Sequence, residues 1–363
     1  MRILGIETSC DETAAAVVED GVEVLSSVIA TSREAFEAAG GVIPEQAARM
    51  QMESILPVIE QALQKASCDA ASLDAVAVTK GPGLLGSLLV GVSTARTLAT
   101  VWGKPLIGVH HTLGHLSSTW LGTHGDLPDF PVLSLSASGG HTELWFRTRH
   151  TQGRLLGSTR DDAVGEAFDK GAALLGLPYP GGPAIAKAAV GGRTDAFPFP
   201  SPLRGEDTLD YSFSGLKTAL RYTLRDHPAL ASLRSTLASA PAAVHAAQAQ
   251  QTFSDLAASY EHALCLHLAT RITRALERNP ETAELHLVGG VSANLHLRSL
   301  LEDIATHAGV CLRFPIRFSY CTDNAAMIAA AGAFLLQERG EAAMEPFATE
   351  ASLPLAAGLG HRG

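Results

Sequence analysis

The sequence predicts an α/β chain of two similar lobes facing one another across a cleft. Two observations carry this. Each half opens on a strand, polar turn and second strand, and each then runs through a strand, a glycine loop, a helix and a further strand in the same order. The repeat is one of pattern rather than of residues. In the first half, Arg2–Glu7 passes through a polar turn into Ala14–Glu19, and Val22–Leu25 follows. Apolar residues at helical spacing (Ile55, Leu56, Ile59, Leu63) predict a helix over about 47–66. The strand Ala75–Val78, the loop Lys80–Gly86, a helix through Ala99 and the strand Pro105–Val109 complete the unit. In the second half, Phe130–Ser136 leads through Ser138-Gly139-Gly140 into a strand ending at Phe146. Later, Glu284–Val288 meets Gly289–Asn294, and a helix, the strand Leu312–Ile316 and the segment Tyr320–Asn324 follow. A half that opens on a strand hairpin and continues in this way has the pattern of a ribonuclease-H-like lobe. The expected division is 1–125, then 126–336 with a helical insert at about 183–278, then a tail over 337–363 of short strand and coil.

Bulk properties narrow the class. A chain of 363 residues with 46% hydrophobic content suffices for two cores. No uncharged apolar run approaches the roughly 18 residues that a membrane span needs. The N-terminus turns acidic at Glu7, too early for a signal peptide. Five scattered cysteines with no CxxC pair give neither a disulfide framework nor a zinc ribbon, so the expected location is the cytoplasm. A formal charge of −10 argues against nucleic-acid binding by bulk attraction. An RNA substrate would need a local basic patch, for which Arg221, Arg225 and Arg234 are available, or a helper protein.

The most informative residues are His111 and His115, placed where the strand Pro105–Val109 gives way to a helix. Positions i and i+4 share a helix face, so two imidazoles there can grip one metal ion. Asp323 stands in the corresponding place of the second half and supplies a third ligand. The alternative is that both histidines are helix-start residues bonded to backbone.

Other segments carry weaker signals. Ser138-Gly139-Gly140 can cradle a phosphate with backbone N–H groups, or be a plain hairpin turn. Gly289–Asn294 builds a phosphate or nucleoside pocket where a strand enters a helix, and Asn294 either contacts a ribose or base or caps that helix. Asp162, Glu166 and Asp169 are spaced to share one helix face, either solvated or, for Asp169, holding a ribose hydroxyl beside Gly181-Gly182-Pro183. Glu7, Asp11 and Glu12 cluster at the first turn, where carboxylates suit a cation or a proton transfer, or simple solubility. Tyr211–Thr218 is either a buried connection or a lid.

Together these runs resemble the TsaD family, the tRNA threonylcarbamoyladenosine transferases once described as sialoglycoprotein endopeptidases. Leu4–Thr13, Gly81–Leu84, His110-His111 with His115, Ser138–Thr142, Gly165–Lys170, Tyr179–Pro183, Ser212–Thr218, Gly289–Asn294 and Thr322-Asp323-Asn324 occur in family order over about the first 335 residues. The resemblance implies the actin-like ATPase (ASKHA) fold. It implies one divalent metal per subunit, Fe2+ with Zn2+ or Mg2+ as alternatives, held by His111, His115 and Asp323. It places threonylcarbamoyl-AMP on Ser136, Ala137, Ser138, Gly139, Gly140, Asp169, Gly182 and Asn294. The implied reaction moves the threonylcarbamoyl group to N6 of the adenosine beside the anticodon, with a TsaB-like paralogue and a TsaE-like ATPase as partners. Three positions depart from the family pattern: Ala137 for a valine, Lys80 for a small residue, and Ala186 for an acidic nucleoside contact. The Ala-rich stretch 226–251 is longer than usual.

In an acyl transfer from a mixed anhydride the leaving group departs easily, and the exocyclic adenine amine is the weak partner. Positioning then contributes more than acid–base work, with Asp11 or Glu12 as candidates to take the amine proton. A metallo-endopeptidase would place a glutamate after the first histidine, where this chain has Thr112. A small-molecule kinase of the same fold would use the glycine turns but would not need His111, His115 and Asp323. A nucleotide-sensing scaffold is the non-catalytic alternative.

Overall fold

The structure is a computed structural model that describes residues 1–31, 42–124, 127–227 and 244–355. Arg234 and most of the Ala-rich stretch lie outside the described residues. The first half builds strands β1 (Arg2–Glu7), β2 (Glu12–Glu19), β3 (Glu23–Thr31), β4 (Ala75–Gly81) and β5 (Leu106–His110). Helices α1 (Pro44–Lys65), α2 (Leu85–Trp102) and the short α3 (His111–Ser117) lie among them. The second half builds β6 (Val132–Ala137), β7 (Thr142–Arg149), β8 (Gln152–Ser158), β9 (Glu284–Val288) and β10 (Cys311–Arg313). Its helices are α4 (Val164–Leu175), α5 (Gly181–Ala189), α6 (Ser214–Asp226), α7 (Val244–Arg278), α8 (Leu295–Ala308) and α9 (Ala325–Arg339).

The two sheets share one topology. The first runs β3-β2-β1-β4-β5 and the second β8-β7-β6-β9-β10, the same order when the halves are matched strand for strand. β1 pairs antiparallel with β2 and parallel with β4, and β6 pairs antiparallel with β7 and parallel with β9. The predicted repeat is therefore real. β3 is longer than its predicted stretch, and β8 was not foreseen, because Gln152–Ser158 lacks a run of apolar alternation.

Strand alternation splits the cores. Leu4, Ile6, Ala15, Val17, Val76 and Val78 face α1 and α2 on one side of the first sheet. Ile3, Ala14, Ala16, Val18, Ala75 and Ala77 face α3 and α9 on the other. With both faces covered, these strands read as nearly unbroken apolar runs. Leu133, Leu135, Ala137 and Leu144 pack against the helices of the second half. Helix α9 follows β10 in sequence yet packs on β1, β2 and β4, and its small residues Ala325, Ala326, Ala329, Ala330 and Ala333 are fully buried there. Asp323, just ahead of α9, is thereby delivered to the first sheet.

The tail differs from expectation. A 3-10 turn spans Gly340–Met344 and no strand forms among the described tail residues. The chain instead bonds to the β4 loop: Glu350 N donates to Lys80 O at 2.9 Å and Gly83 N to Ala351 O at 3.1 Å.

Candidate active site

The site lies at the carboxyl ends of the parallel strands, where open α/β sheets place ligands. β1 ends at Glu7, β4 carries Thr79 near its end, and β5 ends at His110 with His111 opening α3. These strands are neighbours, so residues far apart in sequence become adjacent. Thr79 Oγ1 donates to Glu7 Oε2 at 2.6 Å, and Ser9 N donates to Glu7 Oε1. His111 Nδ1 lies 3.1 Å from both Glu7 Oε2 and Ser9 Oγ. Helix α3 starts cleanly because His110 Nδ1 accepts from Thr112 N at 3.1 Å, while His110 Nε2 reaches Leu353 O of the tail at 2.8 Å.

His111 Nε2 and His115 Nε2 lie 3.4 and 3.1 Å from Asp323 Oδ1, and the three ligand atoms fall within 4.8 Å of one another. Ligands about 2.1 Å from a shared ion stand roughly 3–3.5 Å apart; the two histidine–Asp323 distances match that spacing, and two imidazoles with one carboxylate are a donor set that divalent metals take. A carboxylate on the far nitrogen of a ligand histidine fixes its tautomer, and Glu7 stands in that position behind His111. His115 Nδ1 is buried with no hydrogen-bond partner among the described residues.

The charges interlock. Burial disfavours charge on His111, but Asp323 and Glu7 outweigh it and hold the imidazole well above its ordinary range. Burial likewise opposes ionisation of Glu7 and Asp323, and His111 reverses this, keeping both carboxyls below the usual range. His141 is pushed down to about 4 by burial, with His111 and His115 adding repulsion. His141, which closes the Ser138–His141 turn, thus lies close enough to His111, His115 and Asp323 to feel their charges. The alternative placing of His111 and His115 as backbone-bonded helix starters is not what is observed, since their ring nitrogens face carboxylates.

The second half contributes the glycine turn. Ser138 Oγ accepts from His141 N at 3.1 Å, closing the turn between β6 and β7. Positions Gly139 and Gly140 border open space. The start of α4 is stitched to this turn: Gly165 N donates to Ser138 O at 3.1 Å and Val164 N to Thr142 Oγ1 at 2.8 Å. A Cβ on Gly165 would stand 2.5 Å from Ser138 O. Gly289 has φ +86°, and a Cβ there would stand 2.4 Å from Ala137 O. Ser136 Oγ is buried without a partner among the described residues, and Ala137 is fully buried. Asp169 Oδ1 accepts from Gly181 N at 2.7 Å, burial raises its pKa, and Gly182 beside it faces open space. The turn, the start of α4, Asp169, Gly182 and the Gly289 loop thus share one neighbourhood.

Some expectations resolve differently. Asn294 is the cap of α8: its Oδ1 accepts from Leu297 N at 2.8 Å and its Nδ2 donates to Glu261 Oε1 at 2.7 Å. Asp162, Glu166 and Asp169 do not share a face. Asp162 precedes α4 and meets Glu166 at Lys170, whereas Asp169 turns to Gly181. Tyr211 and Phe213 are fully buried, so this segment is a connection rather than a lid. Of the acidic cluster, Glu7 reaches the histidines. Glu12 takes a hydrogen bond from Thr31 Oγ1, and Asp11 sits on the turn beside the Cys10 thiol. Nothing in the acidic run marks the contact of Glu7, and no sequence signal marks Gln51, whose Nε2 bonds to the carbonyls of Cys10 and Glu12 and pins the turn.

Residues 23–330 match the TsaD family, described as tRNA N6-adenosine threonylcarbamoyltransferase. A protein of that description from Thermomicrobium roseum is 48% identical, covering 98% of this chain and 97% of its own. One from Bacillus subtilis is 43% identical, covering 93% and 91%. Among solved structures, HypF of T. kodakarensis superposes with a TM-score of 0.57 at 14% identity, over 95% of this chain and 49% of its own. A full-length HypF in the phosphate- and nucleotide-bound form gives 0.56 at 14%, over 93% and 46%. These likenesses bear on fold alone, and the fold is that of the actin-like ATPases. With near-complete coverage by relatives of one description, the chain belongs to the TsaD family of tRNA N6-adenosine threonylcarbamoyltransferases.

Proposed function

We propose that the chain transfers the threonylcarbamoyl group from threonylcarbamoyl-AMP to N6 of adenosine 37 in tRNAs reading codons that begin with A. The observation that carries this is the convergence of His111, His115 and Asp323 with the Ser138–His141 turn at the carboxyl ends of the two sheets. His111, His115 and Asp323 would hold one divalent metal, taken as Fe2+ from the family resemblance. When bound, it supplies Lewis-acid polarisation of the acyl carbonyl. The N–H groups around Ser138, Gly139 and Gly140, with the start of α4 behind them, would hold the adenylate phosphate. Ser136 and Ala137 lie along the strand leading to that turn, while Asp169 and Gly182 would take the ribose. Asn294 would border the nucleoside with the capacity its cap leaves over. Asp11 and Glu12 are the candidates to accept the amine proton. The anticodon loop presents its base unstacked, as this transfer needs.

A TsaB-like paralogue and a TsaE-like ATPase would complete the assembly. Supporting a partner, Met52 and Leu56 on α1 and Leu85 and Leu89 on the adjoining α2 are exposed apolar side chains. The cytoplasm is the proposed location, and no helix among the described residues is long and apolar enough to cross a membrane. Thr112 in place of an activating glutamate leaves the metallo-endopeptidase reading without its general base. The test is a transfer assay with labelled threonylcarbamoyl-AMP and unmodified tRNA, with and without the partner proteins, read by nucleoside mass spectrometry. Threonylcarbamoyladenosine is the expected product; ATP-dependent phosphorylation of a small molecule with no modified nucleoside would overturn the proposal in favour of the kinase.

A further inference from the structure

We infer, resting on the tRNA reading above, that helix α6 together with Lys170 of α4 forms a grip for the RNA phosphate backbone. Helix α6 buries Leu216, Leu220 and Leu224 against the second core. The same spacing of four turns Lys217, Arg221 and Arg225 into a row along its outer side. Arg221 and Arg225 are exposed and Lys217 is half-buried. A row from i to i+8 extends about 12 Å, long enough for more than one phosphate, which fits a polyanionic strand better than a single nucleotide.

Two further features point the same way. A cavity of about 380 Å³ opens between α4 and α6, lined by Lys170, Lys217, Thr218 and Arg221 over an apolar floor of Ala173 and Leu174. At the other end of the row, Tyr222 is 48% exposed and the Arg225 guanidinium lies 4.9 Å from its ring centre. An exposed aromatic ring beside arginine offers an unpaired base a stacking surface.

The carboxylates nearby do not cancel this surface. Asp162 accepts from Lys170 at 2.7 Å and Lys217 at 2.9 Å, Glu166 pairs with Lys170 at 2.8 Å, and Asp226 pairs with Arg225 at 2.8 Å. These pairs are partly solvated and cheap to exchange, and they hold the lysine heads at the cavity mouth. Arg221 makes no ion pair among the described residues. The location suits the substrate, because α4 is the helix whose first turn is bonded to Ser138 O. For a chain of net charge −10, such a local surface supplies the attraction to RNA that bulk charge does not.

The experiment uses the full chain with metal and partner proteins, and titrates unmodified tRNA against it across a range of salt concentrations. Wild type is compared with an Arg221→Ala/Arg225→Ala double variant and with Arg221→Lys. The double variant should bind tRNA roughly 5- to 20-fold more weakly at low salt. Its slope of log affinity against log salt should be shallower by about 1.5, since each phosphate contact contributes roughly 0.7 to 0.9. Arg221→Lys, which keeps the charge, should bind within about twofold of wild type, and metal affinity and melting temperature should not move in any variant. An unchanged affinity and slope in the double variant would overturn the grip, as would competition by millimolar inorganic phosphate with no dependence on RNA length. A wild-type assembly that does not bind tRNA would instead overturn the tRNA reading itself, so the two failures are told apart.

Discussion

Replacing Glu7 probes the metal proposal without touching a ligand. Glu7 is fully buried, and its Oε2 holds His111 Nδ1 at 3.1 Å and Thr79 Oγ1 at 2.6 Å. In Glu7→Gln an amide oxygen can still accept from the imidazole N–H, but the negative charge that makes Nε2 a stronger donor to metal is gone. Loss of an outer carboxylate partner typically costs 10–100-fold in metal affinity. The Gln variant should sit near the lower bound, about 1.4 kcal/mol, and Glu7→Ala near the upper, about 2.7 kcal/mol. The Ala variant also strands Thr79 Oγ1 and Ser9 N, at about 1–3 kcal/mol of stability for each group, so Gln is the cleaner probe. The assay is competition for metal against a chromogenic chelator, Zn2+ in air and Fe2+ anaerobically, with a thermal melt of each variant. A folded Glu7→Ala protein that binds both ions as tightly as wild type would refute the idea that Glu7 orients His111.

Three more outcomes follow from the geometry. Gly165→Ala drives a methyl group to 2.5 Å from Ser138 O; the glycine turn must shift, so adenylate affinity should fall at least about tenfold and stability by about 1–3 kcal/mol, measured by calorimetry and melting. Burial pushes His286 down to about 4 and His267 likewise to about 4, below the unfolded value near 6.5. Both are therefore neutral in the fold; their contribution is intact above pH 6.5 and is lost as pH falls towards 4. His286 alone accounts for about 3 kcal/mol, so the melting temperature should drop steeply over that window and less so in His286→Gln. Removing the chain after Met344 deletes the bonds from Glu350 and Ala351 to the β4 loop and from Leu353 O to His110. With the Arg96 bond to Phe347 O and the buried Leu355 also lost, at about 1 kcal/mol per bond this should destabilise the fold by at least roughly 4 kcal/mol and weaken metal binding, read by the same melt and chelator competition.

Much of the site was legible because its residues sit at places the chain pattern marks. The repeat of strand, glycine loop, helix and strand foretells the two matching sheets, and the matching place of Asp323 in the second half foretells its grouping with His111 and His115. What stayed hidden depends on strand order. Glu7 meets His111 because β4 alone separates β1 from β5, with Thr79 of β4 bonded to the same Glu7 oxygen that His111 reaches, and nothing in the acidic run itself distinguishes Glu7 from Asp11 or Glu12. Asn294 as a cap and Asp162 as a partner of two lysines rest on local geometry that residue type leaves open. The docking of the tail over Lys80–Gly83 rests on backbone bonds, which carry no side-chain signature, and on the isolated apolar residues Phe347 and Leu355, which show no periodic pattern.

The proposed role of His111, His115 and Asp323 is to hold a metal that the transfer requires. The most direct measurement is the rate of threonylcarbamoyl transfer to tRNA by chelator-stripped protein, by the same protein reloaded with Fe2+, and by His111→Ala and Asp323→Ala under identical reloading. Transfer should be restored by metal in wild type and reduced at least about a hundredfold in both variants, with metal binding lost in parallel. Wild-type rates in either variant, or in the stripped protein, would contradict that role.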